Sequence, residues 1–159
     1  GPIIVFSHQP LAGPSCIDNA KTVQKLLNSA ADKVLLAVNG HTHIDEVVRV
    51  DNISYLHINS ASYKWVGGSY RNQSYPAAVH SKFRWIEYTC PYRDSLFTTL
   101  TIDPDTGQID VQGRESQWVG KSPSQLGVAS KPNLVDGKQI CPRIRSRQIT
   151  RSAAEVSGK

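Results

Sequence analysis

The sequence predicts an α/β fold, a βαβ unit followed by antiparallel hairpins, and three observations carry that prediction. Residues 3–6 and 34–38 are short, continuous apolar runs (Ile-Ile-Val-Phe and Val-Leu-Leu-Ala-Val), the pattern of strands buried on both faces. Between them lies a stretch with apolar residues at helical spacing. Beyond residue 45 the texture changes to strand-like segments separated by turn residues.

The first run ends at Ser7-His8, and Gln9-Pro10-Leu11-Ala12-Gly13-Pro14 reads as a turn. A helix is expected over residues 18–31, with Ala20, Val23, Leu27 and Ala30 on one stripe and Leu26 widening it. Ser15 or Asp18 is the candidate cap. The second run ends at Asn39-Gly40-His41. Residues 46–50 and 53–58 form the strongest hairpin signal, joined by Asp51-Asn52. Residues 61–82, rich in Ser, Tyr, Gly and Asn, read as a long loop, and residues 83–89 as a strand. Residues 96–102 and 108–111 flank Asp103-Pro104-Asp105-Thr106-Gly107, whose glycine suits a positive φ. The expected division is a domain over residues 1–120 and an extension over 121–159 dominated by Pro, Ser, Gly and Lys, with a flexible basic segment at 143–151.

Hydrophobic residues make up 39% and charged residues 19% of the 159, the balance of a globular chain with a real core. No apolar run is long enough to span a bilayer, so no membrane span is expected. The net charge of +5 belongs to residues 138–159, which hold six basic residues and one acidic; residues 1–137 balance twelve against twelve. The predicted domain therefore has no bulk field for nucleic acid. The tail lacks the aromatic interleaving that base stacking uses, so Arg143, Arg145, Arg147 and Arg151 read as a solvated terminus. Cys16, Cys90 and Cys141 show no zinc spacing and read as unremarkable thiols, with a Cys90–Cys141 bridge left open for an exported protein. The chain has no methionine and its first apolar strand begins almost at residue 1, so it is expected to be part of a longer domain. Gly1-Pro2 is either a tag remnant or native, and the compartment stays open.

The chemistry follows from the predicted topology. Strands joined by a helical crossover run parallel, so their C-terminal ends share one sheet edge, where ligands of open α/β sheets bind. His8 follows one end and His41 the other, with His43 two residues on. The glycine of Gly40-His41-Thr42-His43 is expected to permit a sharp turn. Imidazoles one residue apart usually point apart, so they need not share one ion and can straddle a pair, and neutral imidazole ligates zinc, iron and manganese-type metals.

Ile4-Val5-Phe6-Ser7-His8-Gln9-Pro10 and Asn39-Gly40-His41-Thr42-His43 together resemble the histidine-bearing strand end and the Gly-His-x-His motif of the calcineurin-like metallophosphoesterases. The matched region is about residues 3 to 60. The resemblance implies the C-terminal half of a two-sheet α/β sandwich. It implies two divalent ions (Mn, Fe or Zn), with His8 and His41 on one and His43 on the other, and a phosphate mono- or diester substrate. The family's Asp-x-His, Gly-Asp-x-x-Asp and Gly-Asn-His motifs do not occur in the chain. The missing N-terminal half of the domain is thus the expected partner, and the chain alone is expected to be inactive. The two-metal logic of such centres positions an ester for in-line attack and lowers the pKa of water.

Other residues carry milder expectations. His57 reads as a structural strand histidine on the face shared with Tyr55 and Asn59, and His80 as exposed. Asp45 and Glu46 read as the solvated start of the hairpin, with contact to a ligand imidazole as the minor alternative. Asn59, Ser60 and Tyr63 are candidates for lining the substrate pocket, against plain turn roles. Tyr63, Trp65, Tyr70 and Tyr75 are either a substrate-facing flap or hydrophobic anchors of a long loop. Two rival functions remain: a non-catalytic module holding one zinc through three histidines, and an interaction protein using the basic tail.

Overall fold

A four-stranded mixed sheet organises the protein, whose structure is a computed structural model describing residues 1–103, 105–129 and 134–150. Its strands are β1 (Ile3–Ser7), β2 (Val34–Asn39), β3 (Glu46–Val50) and β4 (Ile53–His57), in the order β1-β2-β4-β3. β1, β2 and β4 run parallel, and β3 returns antiparallel against β4. The turn between β3 and β4 uses Asp51 at φ 51, the left-handed region that Asp tolerates better than most residues.

The helix α1 (Ala20–Ser29) crosses from β1 to β2 and is shorter than the predicted 18–31. Neither Ser15 nor Asp18 caps it: Asn19 occupies the cap position, without a side-chain bond. Val23, Leu27 and Ala30 pack on Leu11, Ala37 and Tyr55 from one face of the sheet. From the opposite face, Leu36, Val38 and Leu56 pack against Tyr92, Leu96, Ile109, Val111, Ile144 and Ile149. Tyr55 and Leu56 are adjacent yet lie in different clusters, as strand alternation requires. The architecture is α/β, with α1 on one side of the mixed sheet and small antiparallel sheets on the other.

Those sheets hold most of the departures from expectation. Within residues 61–82, read as a loop, lie β5 (Tyr63–Trp65), a 3-10 turn (Gly68–Tyr70) and α2 (Ala77–Lys82). Residues 83–89 are not a strand. Arg84–Tyr88 is a 3-10 helix and β6 (Thr89–Pro91) begins only where pairing with β5 is available. Its aromatic and β-branched residues favour a strand only beside a partner. Here the chain bonds to itself instead, Ile86 N donating to Phe83 O at 3.0 Å. β7 (Leu100–Ile102) and β8 (Ile109–Val111) form the expected hairpin, each strand starting later than predicted. β9 (Arg114–Glu115) pairs with β10 (Arg143–Ile144), and β11 (Arg147–Ile149) pairs with β8.

The expectation of a flexible basic segment at 143–151 is therefore corrected. Ile144 and Ile149 are buried, and residues 143–149 belong to the same core as β8. The sequence concealed this because each apolar residue stands between arginines. Arg151 lies outside the described residues. A second correction concerns β1. β2 is buried along its whole length as predicted, whereas β1, with β2 its one strand neighbour among the described residues, leaves Phe6 72% exposed. No described helix is long and apolar enough to cross a membrane. All three cysteines are free, with Cys90 and Cys141 buried.

Candidate functional site

The parallel pairing of β1 and β2 sets Ser7 opposite Asn39, so the chain leaves both strands at one edge of the sheet. Gly40 N donates to His8 O at 3.1 Å and ties the two exits together. His8 Nε2 then lies 3.3 Å from His41 Nδ1, with ring centroids 5.2 Å apart at 75°. Both rings are exposed and line a cleft of about 790 Å³ together with Phe6, Asn59, Ser60 and Leu100.

The loop bearing His41 and His43 is shaped differently from expectation. Left-handed φ values fall on the histidines themselves, 63° at His41 and 48° at His43, and not on Gly40. Non-glycine residues occupy that region at a cost of about 1–3 kcal/mol each, so the surroundings must impose it. Thr42 supplies the anchor. Its N–H donates to Gly40 O at 2.7 Å, and its carbonyl accepts from Lys64 Nζ at 2.8 Å. Its hydroxyl lies 3.4 Å from His57 Nδ1. Burial pulls the Lys64 ammonium down to about 8, with the nearby Cys90 acting the other way. Lys64 was not singled out from the sequence; the sole signal was its place between Tyr63 and Trp65, which alternation turns to the face opposite theirs.

His43 packs edge-on against Tyr63, ring centroids 5.0 Å apart. Burial above all, then the Lys64 charge, lowers its pKa to about 4, with smaller contributions from His41 and His8 against a raising contact from the Tyr63 backbone. The ring is neutral at pH 7, and its buried Nδ1 has no hydrogen-bond partner among the described residues.

The donors fit the imidazole share of a metal centre. In a tetrahedral zinc site with bonds of about 2.05 Å, neighbouring nitrogens lie about 3.3 Å apart. His8 and His41 have that separation, which also suits a bond in which one ring donates to the other. Among the described residues, however, no three His, Cys, Asp or Glu side chains form a group arranged to hold an ion. The fold brings His8 and His41 together and leaves His43 beside them, facing Tyr63.

The candidate pocket residues divide. Asn59 lines the cleft, but its amide is engaged in the scaffold: Nδ2 donates to Cys141 O at 2.6 Å and Arg143 O at 3.1 Å, while Oδ1 accepts from Tyr92 Oη at 2.8 Å. Ser60 lines the same cleft, its Oγ accepting from Ser62 N and Tyr63 N at 3.4 Å each. Tyr63 instead lines an aromatic cavity next to it. Asn59→Ala strands two carbonyls and a phenol, so unfolding stability should fall by about 2–3 kcal/mol in urea titration; Tyr92→Phe, which removes one bond, should cost about 1.

Asp45 is corrected outright. It is fully buried, with no solvated role, and its carboxylate accepts from Arg145 Nε and Arg147 at 2.6 Å each. Glu46 is half-buried and accepts from Val47 N. His57 is buried as expected, beneath Gly13, where φ is 81° and an added Cβ would come within 3.0 Å of Nε2. His80 is half-buried, accepting from Tyr75 N at 3.2 Å.

Burial lowers the His57 pKa, only partly offset by the Ala12 backbone and Glu46. A histidine kept neutral by folding takes up its proton on unfolding. Above the ordinary value of about 6.5 the two states do not differ; below it the unfolded chain gains protons first. Stability measured in chelator should fall as pH drops below about 6.5, His43 extending the loss toward pH 4. A urea midpoint unchanged between pH 7 and pH 5 would contradict both burials.

Comparison with protein-family models, with curated proteins and with solved structures finds no match to this chain.

Proposed function

We propose that this chain supplies the C-terminal imidazoles of a metal-dependent phosphoesterase, a hydrolase of phosphate mono- or diesters. The observation that supports it is the 3.3 Å approach of His8 and His41 at the common C-terminal edge of two parallel strands. His8 and His41 would hold one divalent ion and His43, neutral and with an unpartnered Nδ1, a second. Bound there, the ions supply Lewis-acid charge for phosphate oxygens and a water of lowered pKa. The chain's own work is to aim the three rings. The Lys64 bond to Thr42 O and the Gly40 bond to His8 O fix the loop, and burial keeps His43 unprotonated.

The remaining ligands, carboxylates above all, would come from an N-terminal half of the same domain. The edge of β1 that is unpaired among the described residues and the exposed Phe6 in the cleft support its docking there. Alone, the chain is expected to be inactive. A second reading, a module holding one ion without turnover, draws on the close pairing of His8 and His41 while His43 faces Tyr63. Metal content and phosphoesterase turnover of a protein carrying both halves decide between them. Two ions with turnover support the hydrolase; one ion without it supports the module.

A further inference from the structure

A cavity of about 340 Å³ lies beside the histidine cleft and is walled by Tyr63, Trp65, Tyr75, Phe83, Trp85 and Tyr92. Three of these rings are unusually open to water: Trp85 at 69%, Phe83 at 54% and Trp65 at 47%. The two indoles are nonetheless held in place. Trp65 stacks on Tyr88 at 5.6 Å and 11°, Trp85 leans on the same ring at 5.5 Å, and Arg71 covers it at 4.8 Å. Exposed indoles fixed by a common support are pre-organised for a planar partner, and aromatic faces bind one without regard to its hydrogen bonding.

The position of the cavity matters as much as its lining. Ser60 borders the histidine cleft, and Tyr63 borders the aromatic cavity while its ring touches His43. Three residues of chain span at most about 11 Å, and the bend at residues 61–62 makes the reach between the two linings shorter than that. A ligand anchored at the histidines and lying along residues 60–63 reaches the aromatic rings.

Resting on the phosphoesterase reading, we propose that this cavity receives the alcohol portion of the ester and that this portion is a planar aromatic group, with Trp65, Phe83 and Trp85 determining specificity. The test uses non-hydrolysable probes on a protein carrying both halves of the domain, in the presence of Zn²⁺ or Mn²⁺, followed by calorimetry and by tryptophan fluorescence. Phenylphosphonate should bind at least about fivefold more tightly than methylphosphonate, the advantage of one aromatic contact. Trp85→Ala and Phe83→Ala, both at exposed positions, should each shrink that preference while leaving methylphosphonate affinity unchanged. His8→Ala should weaken both probes. Equal affinities for the two probes, no binding of phenylphosphonate, or a preference that survives both aromatic variants would overturn the assignment. Phenylphosphonate affinity unchanged by His8→Ala would overturn the link between cavity and histidines. The phosphoesterase reading fails separately, by metal content and turnover.

Discussion

Replacing Asp45 with alanine is expected to cost about 3–5 kcal/mol of unfolding stability, the scale for removing one partner of a buried ion pair. The carboxylate is fully enclosed and serves two guanidiniums, Arg145 through Nε and Arg147 through a terminal nitrogen. It also accepts from Arg145 N at 3.2 Å. Alanine leaves Arg147, 16% exposed, with little water to replace the lost charge. Arg145, at 39%, can recover some solvation, which sets the lower end of the range. Asp45→Asn should fall between the two, because it keeps an acceptor but not the charge. The damage should be specific: with both arginines changed to glutamine, Asp45→Ala should cost less than it does alone. Urea midpoints with unchanged slopes would read this directly. A loss under about 1 kcal/mol for Asp45→Ala would show that the network is not coupled to folding.

Loss of the His41 imidazole is expected to lower metal affinity by at least about 100-fold, beyond the range seen when only a ligand's supporting bond is removed. In a protein carrying both halves of the domain, ester hydrolysis should largely disappear with it. The backbone complicates the choice of variant. His41 sits at φ 63, where alanine is strained and asparagine is tolerated. His41→Asn therefore removes the ring while sparing the loop, and His41→Ala adds a folding defect. Both should lose metal by titration calorimetry, and the alanine variant should also be the less stable. Normal metal content and full turnover in His41→Asn would refute the ligand assignment.

Comparing the two sites shows where a sequence speaks clearly. The βαβ unit was legible because β2 is a continuous apolar run and α1 has one apolar stripe, patterns produced by the period of the element itself. The hairpin of β3 and β4 was legible for the same reason, with Asp51 marking the turn. Residues 84–88 were misread because Trp85, Ile86 and Tyr88 satisfy a strand's composition while the backbone there coils into a 3-10 helix. Residues 143–149 were misread because Ile144 and Ile149 are single apolar residues among arginines, and their burial depends on β8 and β9, which lie far earlier in the chain.

By itself, then, the sequence determined the α/β order of elements, the parallel pair β1 and β2, and the placement of His8 and His41 at one sheet edge, since local periodicity and a short crossover leave little choice. Tertiary structure alone decided that Asp45 is enclosed by Arg145 and Arg147, that Lys64 braces the Thr42 carbonyl, and that six aromatic rings wall one cavity, with Tyr63 among them packed on His43. Each of these joins residues distant along the chain through charge or packing, and neither leaves a period in the sequence to read.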